Sequence, residues 1–553
     1  MIEFLVFQKL LKGRPACELS CVRVWSTAEG VRGSFERSEE LSRMERFVAE
    51  VRNTRPVATE RSGRERPKAK LRGSLHLIIK NNVELSLSKN LLKLIYILIK
   101  LISMTNNIEL GSAPLGKLMA KLAIPSITAF VINILYNIVD RIYIGHIPGS
   151  SSLPLTGVGI CLPIITLISA FSSFAGSGGA PLAAIELGKS EKESDALDRA
   201  KQYLSNAFVM LLFFSVILTS FFFIFKDSLL MAFGASKDTL PFASDYLSIY
   251  LIGTIFVQLS IGLNPFITAQ GKAKTAMVSM LIGACLNLIL DPIFIFTFNL
   301  GVKGAAIATI ISQAASAIWI LLFLTKKSTV LRLDIRHIKF KLKTCLKIAS
   351  LGISPFIMQS TESAIFIIFN TGLQRYGGDL YVATMTIMQS LMQLCFCPLQ
   401  GFTSGIQPII SYNYGAKNYN RVKMVIKRMT SIGFAFTIVA FLVITNFPEF
   451  FAKMFATDTA LISLAGKTVP VYFGAMWIFG IQMCAQTTFV GLGKAKISLF
   501  IALLRKVILL IPLALILPLF FGVDGIFWAE PIASMSSAIT SGILLFFCYK
   551  KLK

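Results

Sequence analysis

Apolar residues run through this chain in blocks of roughly twenty, the length a helix needs to cross a bilayer. Twelve blocks stand out, centred near Asn133, Ile165, Phe214, Phe256, Ile289, Ala314, Phe366, Leu394, Ala435, Phe479, Ile508 and Ser537. Polar, mostly basic connections separate them. The pattern predicts an all-α polytopic membrane protein with twelve transmembrane helices.

The second six blocks repeat the first six. Gly271-Lys272-Ala273-Lys274 returns 222 residues later as Gly493-Lys494-Ala495-Lys496. Tyr250 recurs as Tyr472, Phe233 as Phe455, Pro181 and Gly188 as Pro408 and Gly415, and Pro125 as Pro355, with the interval drifting only from 222 to 230. A repeat of this length, made of apolar helices, predicts two homologous six-helix bundles related by a pseudo-twofold axis. The bundles are assigned to residues 104–325 and 348–553. The connection 326–347 carries Leu331, Leu333, Ile335, Ile338, Phe340 and Leu342 among basic residues, and is expected to lie on the cytoplasmic membrane surface as a tether.

Residues 1–103 stand outside the repeat. They hold 20 Lys and Arg and 11 Asp and Glu, and the stretch from Arg52 to Arg72 has too few apolar residues to build a core. Met104 reads as the ordinary start of the repeat protein. The first 103 residues are therefore expected to be a basic, disordered upstream extension.

Composition changes the picture only by narrowing it. With 54% hydrophobic and 15% charged residues and a mean hydropathy of +0.68, the chain is too apolar for a soluble protein of its size. The net charge of +26 would suggest nucleic acid on a soluble surface, but its placement is topological. Loops 188–201, 270–274, 325–347, 415–428, 493–496 and 550–553 together carry 24 Lys and Arg, against 6 in loops 226–245, 299–304, 373–380 and 448–467. The positive-inside rule then puts both bundle termini in the cytoplasm. Nine cysteines scattered through apolar spans read as small buried hydrophobes. Three distant histidines make no metal site, and no phosphate-binding loop appears. The expectation is a transporter and not an enzyme, without cofactor or nucleic-acid partner and acting as a monomer.

Ionisable residues inside a membrane span are costly unless they face a cavity or a partner. In the first span Asn133, Tyr136, Asn137 and Asp140 share one helical face, and in the fifth Asn287 and Asp291 stand one turn apart with Pro292 next. Taken singly, each acid has a structural use: Asp140 near Arg141 at a helix end, Asp291 beside backbone freed by Pro292. Polar stripes on two helices are expensive apart, and they predict a shared cavity.

These stretches resemble the multidrug and toxic compound extrusion (MATE) transporters of the MOP flippase superfamily, especially the MepA-like branch. The resemblance rests on Lys121-Leu-Ala-Ile-Pro-Ser, the run from Leu135 to His146, Gly178-Gly-Ala-Pro-Leu-Ala, Asn264-Pro, Ala269-Gln-Gly and the run from Asn287 to Phe294. It implies an ion-coupling site for a proton or sodium ion at Asp140, Asn264, Asn287, Asp291 and Thr309, near Tyr136 and Asn137. It also implies that helix 1 changes shape at Pro125. Two carboxylates close together in an apolar setting do not both ionise readily, which suits proton exchange.

The second half departs from the first. Ile511-Pro512 stands where Asp291-Pro292 stands, and Gly474 to Phe489 has no carboxylate, so coupling is expected to be asymmetric. Glu362 is expected either to pair with Arg505 or to receive a cationic drug. Gln359, Met385, Met388, Gln389 and Met392 are candidates for a soft substrate wall, with core packing as the plainer use of the methionines. The function expected is ion-coupled export of cationic or amphipathic small molecules by alternating access. The alternative is a lipid-linked oligosaccharide or metabolite flippase of the same superfamily, which would line its cleft with basic residues.

Overall fold

The computed structural model describes residues 110–145, 147, 153–334, 340–454 and 459–552. The expectations for residues 1–103, and for Ile335 and Ile338 of the connection, lie outside them. Among the described residues the secondary structure is entirely helical. The first lobe contains α1 (Leu115–Gly145), α2 (Leu153–Lys189), α3 (Ala196–Ala232), α4 (Leu240–Ile252), α5 (Thr254–Ala269), α6 (Ala273–Pro292) and α7 (Gly301–Thr325). The second contains α8 (Leu342–Gly377), α9 (Asp379–Gly415), α10 (Tyr419–Asn446), α11 (Pro448–Lys453), α12 (Thr459–Tyr472), α13 (Met476–Gly491), α14 (Ala495–Leu503), α15 (Ile511–Phe521) and α16 (Val523–Lys551).

Ten helical stretches are long and apolar enough to span a bilayer, and two bent pairs bring the number to twelve if each pair is one span. Those pairs are α4 with α5, bent by 59°, and α12 with α13, bent by 54°. They occupy matching places in the two halves, so the repeat extends to the broken helices. Short π-helical stretches flank the equivalent prolines on opposite sides: Ile293–Thr297 follows Pro292, and Leu504–Leu510 precedes Pro512. Proline removes a backbone donor and crowds the preceding turn, which accounts for the widening before Pro512.

Large apolar side chains such as Phe213, Ile224, Leu519 and Phe520 are exposed on α3 and α15. In a bilayer this outward surface meets lipid, while small residues fill the helix contacts. The lobes join through α2 packed on α8 and α1 packed on α9. Because α1 corresponds to α8 and α2 to α9, these two contacts exchange under the pseudo-twofold.

The connection between the lobes differs from expectation in two ways. Residues 342–347 belong to the first turns of α8, so the tether is shorter. Leu331 and Leu333 are buried in the first lobe's core, held by a Leu333 N–H donating to the Leu324 carbonyl and a Leu331 N–H donating to Gln270 Oε1. Burial against protein satisfies both the apolar side chains and the backbone, and leaves this part of the tether no reason to lie on lipid.

Candidate functional site

Packing of α6 on α1 and α7 brings the first-lobe polar stripes together. The Asp140 and Asp291 carboxyl groups adjoin each other, and Tyr136 lies close to both. Asn287 Nδ2 donates to Asp291 Oδ1 at 3.0 Å and approaches Thr309 Oγ1 at 3.5 Å. Asn287 and Asp291 are buried. Asp140 Oδ1 and Asp291 Oδ2 are buried and receive no hydrogen bond from the described residues. A proton between two such oxygens, or a small cation, would satisfy both; bare carboxylates at this spacing repel.

Asp140, Tyr136, Asn287, Asp291 and Thr309 thus form one group. Asn137 stands beside it on an exposed face, its amide donating to the Asn133 carbonyl at 2.6 Å. Asn264 does not join it. Its Nδ2 donates to the Ala276 carbonyl at 3.0 Å and to Ser279 Oγ at 2.7 Å, and Ser279 lies eight residues before Asn287, about 12 Å along α6. The physical reason is depth: α5 and α6 meet at a tight turn beside Gly271, so Asn264 faces the near end of α6.

Two residues outside the expected set border the pair. Tyr246 adjoins Thr309 and lies near Asp140, Tyr250 lies near Tyr136, and the Tyr246 and Tyr250 rings stack with centroids 6.2 Å apart. Both are buried. Tyr250 carried a signal, since it recurs as Tyr472 in the second half. Pro125 is buried in an unbroken α1, and the stretch Leu122–Ile127 around it is pressed by Gly401 and Gly405 of α9.

In the second lobe the charges pair differently from expectation. Arg505 donates to Glu530 Oε1 at 2.6 Å, and Lys506 donates to Glu362 Oε1 at 2.6 Å. Neighbouring residues on a helix point roughly 100° apart, so Arg505 turns to α16 and Lys506 to α8. Ser534 Oγ also donates to Glu530 Oε1, and the Arg505 guanidinium lies 4.5 Å over the Phe479 ring. Tyr472 lines a groove with Glu530. Both π-helical stretches therefore adjoin or hold the buried charges of their lobes.

The expected substrate wall divides. Met385 and Met388 are wholly buried in the second lobe's core, because the core encloses this face of α9 at their depth, and neither lines an open surface. Met392 and Phe396, further along α9, line a groove with Tyr472, Phe479 and Glu530. Gln389 is half-buried. Gln359 accepts a hydrogen bond from Ser173 across the lobe interface at 2.9 Å.

A family profile for MatE matches residues 125–293 and 355–516. The multidrug export protein MepA of Staphylococcus aureus (strain N315) is 27% identical over 435 residues, covering 78% of this chain and 94% of its own. MepA of Staphylococcus haemolyticus (strain JCSC1435) is 27% identical over 433 residues, covering 78% and 93%. Among solved structures, an outward-facing multidrug resistance MATE family transporter of the MOP superfamily superposes with a TM-score of 0.74 at 22% identity, covering 81% of this chain and 99% of that one. A MATE transporter in the bent conformation gives 0.72 at 24% identity, covering 79% and 96%. These superpositions establish the fold.

Proposed function

The chain belongs to the MatE family, and from that membership we propose that it exports amphipathic aromatic compounds, cations among them, in exchange for protons or sodium ions. The observation that carries the reading is the adjoining pair Asp140 and Asp291, each with a buried oxygen that has no partner among the described residues, beside Tyr136, Asn287 and Thr309. A site of this kind changes charge when one proton or cation enters or leaves. That change alters the cost of keeping α1 packed on α6, and α1 also bears on α9 of the other lobe around Pro125. Ion binding is thereby linked to the packing between lobes, as alternating access requires.

The lobes touch closely along the halves of α1, α2, α8 and α9 nearest the basic loops. With those loops in the cytoplasm, the cytoplasmic side is the closed one. One unit charge moving down 100 mV supplies about 2.3 kcal/mol, enough for tens-fold accumulation before any chemical gradient is added. Met392 and Phe396 offer a deformable aromatic wall for the exported compound.

The test is ethidium efflux from pump-deficient bacteria expressing the full chain, with the proton and sodium gradients collapsed separately. Efflux that stops when one gradient is lost and falls in Asp140→Asn supports the reading and identifies the ion. A well-expressed chain that moves no ethidium under any gradient overturns it for this dye class.

A further inference from the structure

At its basic end α1 turns an uncovered sector outward: Gly116, Lys117, Ala120, Lys121 and Ile124 are all exposed, Ile124 by 62%. Cations from two other elements flank it. The Arg428 guanidinium of α10 stands 3.7 Å from where a Cβ on Gly116 would lie. Lys272, in the turn between α5 and α6, lies near Lys121, and burial together with that neighbour holds its ammonium below the ordinary lysine range. Gly116 and Lys121 are about 140° apart around the helix, so Arg428 and Lys272 border opposite edges of the sector. Lys117, Lys121 and Arg428 form no ion pair with any of the described residues.

Depth decides what such a sector meets. No charge follows Arg428 on α10, and the stretch from Met429 to Asn446 rises about 27 Å, close to the ~30 Å of bilayer hydrocarbon. On α1 the stretch from Leu122 to Val139 is likewise uncharged and just as long. Lys121 and Arg428 therefore both mark the boundary between acyl chains and headgroups, where phosphates lie. Ile124 stands one turn deeper, at the level of the chains. The protein's own upstream segment has the wrong sign to cover these cations, since residues 1–103 hold 20 Lys and Arg against 11 Asp and Glu.

We propose that this sector seats an acidic phospholipid, with its phosphate among Lys117, Lys121 and Arg428, Lys272 at the edge and an acyl chain along Ile124, and that the bound lipid fastens the lobes at their basic end. Arg428 belongs to the second lobe and Lys272 to the first, so the two edges part when this end opens. A ligand that uses both favours the closed state by its differential affinity for the two states. Only the alternation between states is taken from the export reading.

The test reads the sector directly in the full chain, placed in bilayer discs of phosphatidylcholine that contain brominated phosphatidylglycerol or brominated phosphatidylcholine. Quenching of Ile124→Trp reports which lipid lies against it. Leu346→Trp, 61% exposed at the start of α8 beside Lys343 and Lys347, reports the attraction that any basic edge exerts. The preference for phosphatidylglycerol should be at least about fivefold stronger at position 124 than at position 346. Adding Lys121→Gln and Arg428→Gln should bring the first down to the second. Equal preference at both positions overturns the site, and so does a preference that survives the two added changes. A spin label on each lobe at the basic end should report a longer distance in pure phosphatidylcholine than with phosphatidylglycerol present; an unchanged distance overturns the fastening. Inorganic phosphate that shortens the distance in pure phosphatidylcholine would replace the lipid by a soluble anion. Quenching is readable whether or not ethidium is exported, and a chain without the lipid preference can still export the dye.

Discussion

Gly188 and Gly415 hold equivalent places in the two halves, and each lies against the backbone of the opposite lobe. A Cβ on Gly188 would stand 1.9 Å from the Tyr412 carbonyl oxygen, and a Cβ on Gly415 would stand 1.9 Å from that of Ile185. No side-chain rotation relieves a clash with backbone. Gly188→Ala or Gly415→Ala should therefore open the contact between α2 and α9 at its basic end. A spin label on each lobe at this end would report a longer distance in either variant, and ethidium efflux should fall by more than about tenfold because one of the two alternating states is lost. An unchanged distance would mean that the helices slide apart without consequence.

Tyr412 also donates its hydroxyl to Glu191 Oε1 at 2.7 Å, across the same contact. Removing one such hydrogen bond costs about 0.5–1.5 kcal/mol. Tyr412→Phe is expected to shift the closed state by up to roughly tenfold, seen as faster thiol labelling of a cysteine placed between the lobes at this end, with efflux lowered less than by the glycine variants.

The first-lobe pair gives a sharper contrast. Asp140→Asn and Asp291→Asn each remove one of the two facing carboxylates and should abolish ion-driven efflux. Asn264→Ala should leave the ion dependence intact and lower only stability, by about 1 kcal/mol for its lost hydrogen bonds, since its amide is committed to Ala276 and Ser279. Transport assays in vesicles with imposed gradients check both. Loss of coupling in Asn264→Ala at normal expression would place that residue back with the pair.

Much of this arrangement was legible in the chain itself. Apolar block length marked the spans, the 222-residue return of Gly-Lys-Ala-Lys marked the halves, and one-face spacing linked Asn287 to Asp291. What periodicity cannot give is depth and azimuth. Asn264 sits on a helix of the right lobe at the wrong depth, and Met385 and Met388 share a helical face with Met392 yet lie where the core encloses it. Arg505 and Lys506 are adjacent in sequence, so only their surroundings decide which of Glu362 and Glu530 each one meets. Tyr246 was missed because a tyrosine in an apolar span looks like any other large core residue.

The Arg505 and Glu530 pair is the most buried ion pair among the described residues, and it tests how the second lobe holds its charges. Glu530→Gln keeps the shape and an oxygen that can accept from Ser534, but leaves Arg505 without a counter-ion. Breaking a buried pair by removing one partner costs about 3–5 kcal/mol, because the remaining charge stays desolvated. The variant should melt at a clearly lower temperature in detergent. Adding Arg505→Met should recover most of the loss, since the thioether fills the space over Phe479 and no charge remains unpaired. Melting by tryptophan fluorescence separates the two effects: a double variant as unstable as Glu530→Gln would mean that Arg505 contributes packing that methionine does not replace.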